Sequence, residues 1–381
     1  VGRNDVSTNF GGRLIGASSF IKSGTGRQDL TGVSTTFTGP LVVNSGVLAL
    51  SGQGQVTNTG TAAITLIGSG TFLLDNADVN NTNRLLGTAP GITFQGGTFR
   101  VIGKDGAASG EALGAATFAG GTSTIDVVNG IGLGSSAEVI FSALTANPAG
   151  MVNITASGEG TLGTAGDAPR VKVISGLATG LVGFATVNGG PAFYETATGI
   201  RAFDVDTEAV EFNGAVVQTT LNTKFTAANS SPMELLTAAR TVNSLWISSP
   251  GGGKFVNLGT AGASNLTVTS GRINLAGPDS FEIKRGGTST ASLLGTRLNV
   301  GVNDPASELT ISVPIATGAN TLSKDGPGTL VLNATNTFTG ALTILDGLVR
   351  YGATGDLAAT CPLTIWESGR FDFAGKTDTI G

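Results

Sequence analysis

Asp204, Asp206 and Glu208 form the densest set of side chains that could do chemistry in this sequence. Spaced by two, they would share one face of a strand. Carboxylates so placed could bind calcium or act as an acid pair on a glycosidic bond. Glu211 lies nearby at odd spacing. The same spacing also suits a plain polar face that keeps a strand soluble, and that is the reading adopted. The glycine-anchored calcium loop with Asp at its first, third and fifth positions is absent. Asp75 and Asp78, beside Asn76 and Asn80, have the composition of a tight turn.

Other chemistries are excluded more sharply. The chain has no histidine, which removes Ser-His-Asp and Cys-His catalysis. With one cysteine as well, most zinc sites are excluded. The stretch PGGGKF (250–255) has glycines and Lys254, but no Ser or Thr follows the lysine and no helix pattern follows, so it is not a phosphate loop. Cys361 cannot form an intrachain disulfide; it reads as a buried small hydrophobe before a strand, with an intermolecular bridge as the other reading. Trp366 points outward if Leu363 and Ile365 point in. It could then stack on a sugar ring, fill a neighbour's pocket, or lie under a loop or the next coil. No catalytic residue, cofactor or metal ligand is assigned.

Composition narrows the class further. Glycine is 60 of 381 residues without a Gly-x-y period, which excludes collagen. Hydrophobic residues at 40% disfavour disorder, and charged residues at 12% leave surface polarity to Thr, Ser, Asn and turn backbone. A net charge of −5, with no basic run, argues against nucleic acid as a partner. No apolar stretch reaches the roughly 18 residues of a membrane span. The chain is expected to be a segment of a longer protein, or a mature form trimmed at its C-terminus.

The elements that must position all of this are announced by one recurring phrase. It occurs at 41–50 (LVVNSGVLAL), 92–101, 116–125, 266–275 and 342–351 (LTILDGLVRY), and with one extra residue at 363–373. Its first position holds Leu41, Ile92, Ala116, Leu266, Leu342 and Leu363; its third holds Val43, Phe94, Phe118, Val268, Ile344 and Ile365. Mostly threonine stands between them. This period of two marks a strand with one buried face. A glycine follows at Gly46, Gly97, Gly121, Gly271, Gly347 and Gly369, and alternation then resumes in most copies. Strand, glycine bend and second strand make one corner of a coil, and repetition of the unit implies a stack of coils. Phe94, Phe99 and Phe118 are expected in its core.

A longer frame encloses two of the copies. KSGTG (22–26) precedes FTGPLVVNSGVLAL (37–50), and KDGPG (324–328) precedes FTGALTILDGLVRY (338–351). K-x-G-x-G, an Asn/Thr-rich turn and F-T-G-x-L-x-[VI]-x-x-G-x-[LV] resemble the autotransporter-associated β-strand repeat of bacterial autotransporter passengers and giant surface proteins. The second block matches through Leu322, Lys324, Gly326, Gly328, Leu330, Leu332, Asn336, Phe338 and Gly340. The first departs from the pattern at Gln28 and Thr35. The clear resemblance covers residues 14–50 and 240–381. It implies a right-handed parallel β-solenoid outside the cell and no single activity.

The fold expected is therefore all-β: a right-handed parallel β-solenoid (β-helix) with one short helix near 231–240. SSPMELLTAARTVNSL (230–245) carries the helix signal, with Ser231 as N-cap, Pro232 in the first turn and Glu234 three places on. The expected organisation is a polar extension over 1–13, a solenoid over 14–228 that is irregular in its second half, and the helix followed by the clearest repeats over 229–381, or one continuous solenoid. Within the irregular part, NGGPAF (188–193) reads as a loop and IRAFDVDTEAVEF (200–212) as strand. The function expected is a non-enzymatic extracellular scaffold, stalk or self-assembling filament subunit at the bacterial cell surface. An adhesin passenger binding glycans or host surfaces, and a carbohydrate-active β-helix enzyme, are the alternatives. The partner expected is a second copy stacked end to end, or the continuation of a longer solenoid.

Overall fold

The computed structural model describes residues 1–2, 5–59, 64–147, 149–213, 218–229, 233–234, 238–248, 250–295, 297–316, 321–366 and 368–379. The protein is all-β, as its alternation predicts: among the described residues one four-residue helix stands against a long succession of strands. The chain divides into two compact units, Val1–Phe203 and Asp204–Gly381.

In the first unit, Leu41–Leu50, Ile64–Asp75, Ile92–Gln95 and Ala116–Val128 follow one another in a parallel ladder. The aligned copies at 92 and 116 pair directly, and a strand that the alignment did not include, Ile64–Asp75, lies between them and the copy at 41. Leu41, Ile64, Ile92 and Ala116 pair in succession, and so do Val43, Leu66, Phe94 and Phe118. All eight are at most 1% exposed. A parallel stack puts like positions over like, so one strand's inward set must be matched by the next. The phenylalanines show the result. Phe94 and Phe118 lie with ring centroids 5.0 Å apart, and Phe72 and Phe99 6.1 Å apart.

The parallel ladder stops at Gly180–Val187, which turns back antiparallel onto Gly190–Glu195 and then Gly199–Ala202. The segment expected as a loop thus contributes a strand. Only Asn188 and Gly189, at φ +50° and +77°, make the bend. An Asn-Gly pair is the usual solution for a two-residue hairpin, because both positions need positive φ.

The second unit holds two parallel sheets. One runs through Gln218–Phe225, Arg240–Ser248, Arg272–Ala276, Leu298–Val302, Leu322–Asp325, Leu342–Ile344 and Leu363–Ile365. The other runs through Lys254–Asn257, Phe281–Lys284, Glu308–Ile311, Thr329–Leu332, Leu348–Tyr351 and Arg370–Asp372. Leu322, Leu342 and Leu363 pair in register, as do Leu330, Val349 and Phe371. Along the chain the strands pass from one sheet to the other, and Leu266–Val268 and Leu293–Leu294 add two further short strands to the first.

Two expectations are corrected here. The helix near 231–240 is not found in the described part of that stretch. Met233–Glu234 is a strand paired with Val256–Asn257, and Arg240–Ser248 is a strand paired on both edges; residues 230–232 and 235–237 lie outside the described residues. Helix propensity is worth only tenths of a kcal/mol per residue, and the strand pairing of Met233–Glu234 and Arg240–Ser248 outweighs it. The helix is instead Val205–Glu208, inside the stretch expected to be strand. Asp204 is its N-cap: its Oδ1 accepts from the Asp206 amide at 3.0 Å and its Oδ2 from the Thr207 hydroxyl at 2.7 Å. Glu208 closes the box by accepting from the Asp204 amide at 2.7 Å.

Core matching predicts a specific cost. Phe118→Ala empties a fully buried site against Phe94 and should lower unfolding stability by about 3–5 kcal/mol. Urea titration followed by circular dichroism would measure it. A loss under 1 kcal/mol would contradict the stacked-core assignment.

Candidate functional site

The side chains that repay attention are two lysines. In the K-x-G-x-G segment of the first unit, Lys22 occupies an inward strand position and is 1% exposed. Its Nζ donates to the carbonyls of Ser23 at 3.1 Å, Gly24 at 2.6 Å and Ser45 at 3.2 Å. In the second unit Lys324 is fully buried. Its Nζ donates to Asp325 O at 2.8 Å, Gly326 O at 2.6 Å and Asp346 O at 3.2 Å. The two cages match atom for atom. Each ammonium uses its three protons on the bend of its own coil and the bend of the next.

The cage explains the glycines around it. The chain must turn sharply so that consecutive carbonyls face one point, and the next coil must pass close above. Gly46 and Gly347 make that pass at φ +65° and +74°. A Cβ on Gly347 would stand 2.5 Å from both Gly326 O and Gly328 O, and one on Gly46 would collide with the matching carbonyls of Gly24 and Gly26. Glycine is needed for both reasons at once. Of the other repeat glycines, Gly121 and Gly271 also have positive φ, whereas Gly97 and Gly369 do not. Gly96 takes the left-handed position beside Gly97, and Gly369 closes a turn by donating to Trp366 O at 2.8 Å.

Burial sets the electrostatics. Desolvation pushes the Lys324 ammonium down to about 8, against the pull of Asp325 and Asp346. Lys22 is lowered for the same reason, opposed by Asp5. Neither amine reaches solvent, so neither can serve a substrate as base or nucleophile. Their task is to satisfy backbone oxygens that no strand partner can reach.

A second fixture supports the turn before each F-T-G. Asn336 is buried, accepts from Ile315 N at 3.0 Å and donates to Ala334 O and Asp356 O, each at 2.9 Å. Where the first block has Thr35 instead of asparagine, the buried Ser34 accepts from Leu14 N at 3.0 Å. Basic side chains serve the same end elsewhere. Lys254, read as no phosphate ligand, donates to Ala227 O and Asn229 O, each at 2.8 Å. Arg84 is fully buried, with its guanidinium on the carbonyls of Gly52, Gly54, Asp75 and Val79 and on Asn76 Oδ1.

The remaining candidates do not converge. Asp204, Asp206 and Glu208 sit on one helical turn, where Asp204 and Glu208 cap its start. Among the described residues, no group of three or more carboxylate or thiol side chains is placed to hold a metal. Cys361 is fully buried, with its thiol 3.2 Å from Gly340 O. Trp366 is half-buried and Ile365 is 47% exposed, so the inward alternation expected for 363–365 fades by Ile365.

Sequence reasoning missed the lysine cages, although the signal was on view. A lysine at a strand position whose neighbours alternate inward, with glycines two and four places on, is a charge that must be met by backbone.

The same segments are singled out by comparison with known proteins. The model of the Passenger-associated-transport-repeat matches residues 20–50 and 322–350, which hold both cages and both bend glycines. Two separate blocks of the chain are thus similar to the passenger repeat. A curated relative, the Adhesin BmaC autotransporter of Brucella suis biovar 1 (strain 1330), is 26% identical over 386 residues. The match covers 99% of this chain but 10% of that protein, so the chain spans about a tenth of the relative's length. No solved structure matches significantly.

Three outcomes follow for these segments. Lys324→Met leaves buried carbonyls without a donor and should cost about 1–3 kcal/mol. Wild-type stability should rise as pH increases from about 8 toward the ordinary lysine value of 10.5. In that window the unfolded chain holds a proton that the folded chain has released. Denaturant midpoints at pH 7, 8.5 and 10 test both, and the Met variant should lose this rise. Gly347→Ala, at positive φ and against two carbonyls, should destabilise by more than about 1 kcal/mol.

Proposed function

We propose that the chain is a segment of a right-handed parallel β-solenoid in a passenger secreted to the bacterial surface, where it acts without enzymatic activity as a scaffold or stalk. The observation that carries this reading is the doubled lysine cage within an in-register parallel ladder. It spends charged and polar groups on holding coils together, and the same segments are the ones matched by the passenger repeat. A stack of this kind is stiff along its axis, because each coil is bonded to the next over most of its perimeter. Its open strand edges suit continuation by further coils, whether from the same chain or from a second copy.

An adhesive segment is the second reading. It rests on the relative, which is named an adhesin, and glycans or host surfaces would be the ligands. One experiment separates the two. These coils are deleted in frame from the full-length parent, and an equal number of unrelated passenger coils is inserted. Under the scaffold reading, deletion weakens surface display or adhesion and the substitute restores it. Failure of the substitute, with normal display, would favour a ligand site on these coils. Release of reducing ends from common polysaccharides by the purified chain would overturn the non-enzymatic assignment.

A further inference from the structure

The second strand stack of the first unit is interrupted. Val33–Ser34, Gln55–Thr59 and Leu85–Thr88 form one parallel sheet that goes no further. The next coil's strand, Ala108–Leu113, pairs forward with Ser136–Phe141 and, among the described residues, has no ladder partner behind it. Side chains bridge the seam instead. Glu111, 6% exposed and inward-facing, accepts from Arg84 N at 2.9 Å and from Leu85 N at 3.4 Å. Asn80 donates to Ala108 O at 2.8 Å and accepts from the Ser109 hydroxyl at 2.8 Å. The opposite sheet of the same coils is continuous, through Ile64, Ile92 and Ala116.

We propose that this seam is where the core of the first unit opens, and that Glu111 is its latch, closed more firmly by acid and loosened toward alkaline pH. The continuous sheet acts as the hinge side. Opening costs few backbone hydrogen bonds, because the seam has no ladder to break, and its main polar event is the hydration of Glu111. Burial raises the Glu111 carboxyl to about 7, against the opposing pull of the Arg84 and Leu85 amides and the Arg84 charge. An exposed carboxyl titrates near 4.5. The closed state therefore holds a proton that the open state releases, and opening gains as pH rises between those values.

The charges around the latch are accounted for. Arg84 lies in the turn beneath and is committed to carbonyls there; burial lowers its affinity for its proton, opposed by the charges of Asp75 and Glu111. Asp75 itself pairs with Arg27 at 2.9 Å. On the forward strand, Val139 is the residue opposite Glu111. Its neighbour Glu138 lies on the other face, bridged to Arg170 and Lys172 at 2.8 Å each. In the preceding turn, Lys104 donates to Ala77 O and Asp105 accepts from Ile131 N.

Hydrogen exchange of the intact chain, read by mass spectrometry and corrected for intrinsic rates, tests the latch. Amides of 85–88 and 108–113 should lose protection by tens of fold between pH 5 and pH 8, with about 100-fold as the order of the limit set by the two carboxyl values. Amides of 41–43 and 92–94 should change little over the same range. Glu111→Gln should flatten the dependence at the seam. Seam amides that track the reference amides in the wild type would overturn the proposal without recourse to a variant. So would a pH dependence that survives Glu111→Gln.

Discussion

Everything in this protein depends on satisfying backbone carbonyls where the chain leaves one strand and enters the next. Along most strands the backbone is paired with a neighbouring strand in register. At the bends the chain turns too sharply for that, and several carbonyls converge at one point inside the stack. An unmet buried carbonyl is costly. The fold answers with cations on flexible stems: Lys22 and Lys324 at equivalent bends, and Arg84 where four carbonyls gather around a wider turn. Glycine is then dictated twice over, once to turn the chain and once to let the next coil pass.

This solution governs the surface as well as the core. Basic residues are scarce in the chain, and several are consumed inside it. Others form ion pairs, as Arg27 does with Asp29 on its own strand and with the more distant Asp75, and Arg272 with Asp325. What remains outside is largely threonine, serine, asparagine and glycine. Such a surface suits the scaffold reading proposed above. It is compatible with a role in which length, stiffness and display matter more than a single pocket.

The exceptions to regularity are as informative as the repeats. The first unit ends its parallel ladder in an antiparallel meander, and its second stack is interrupted between Leu85–Thr88 and Ala108–Leu113. At the interruption a carboxylate takes the place of a strand edge. A stack with one continuous sheet and one broken sheet is anisotropic: firm on one side and separable on the other. The second unit has no such break in the described part of its two sheets, and its inward columns stay leucine-, isoleucine- and valine-rich throughout.

The sequence by itself determined the all-β class, the inward columns and the positions that stack. Period-two alternation and self-similarity are local patterns, and a parallel stack converts them directly into register. Hence Phe94 could be placed over Phe118, and Leu342 over Leu363, before any coordinates were known. The tertiary structure alone decided what the lysines do, where the second sheet breaks and which short segment is helical. Each of these depends on groups distant in the chain. The third carbonyl around Lys324 comes from the following coil, Glu111 reaches amides of the preceding one, and Met233–Glu234 is held as a strand by Val256–Asn257. Propensity weighs a residue against its sequence neighbours; here the deciding partners lie a full coil away.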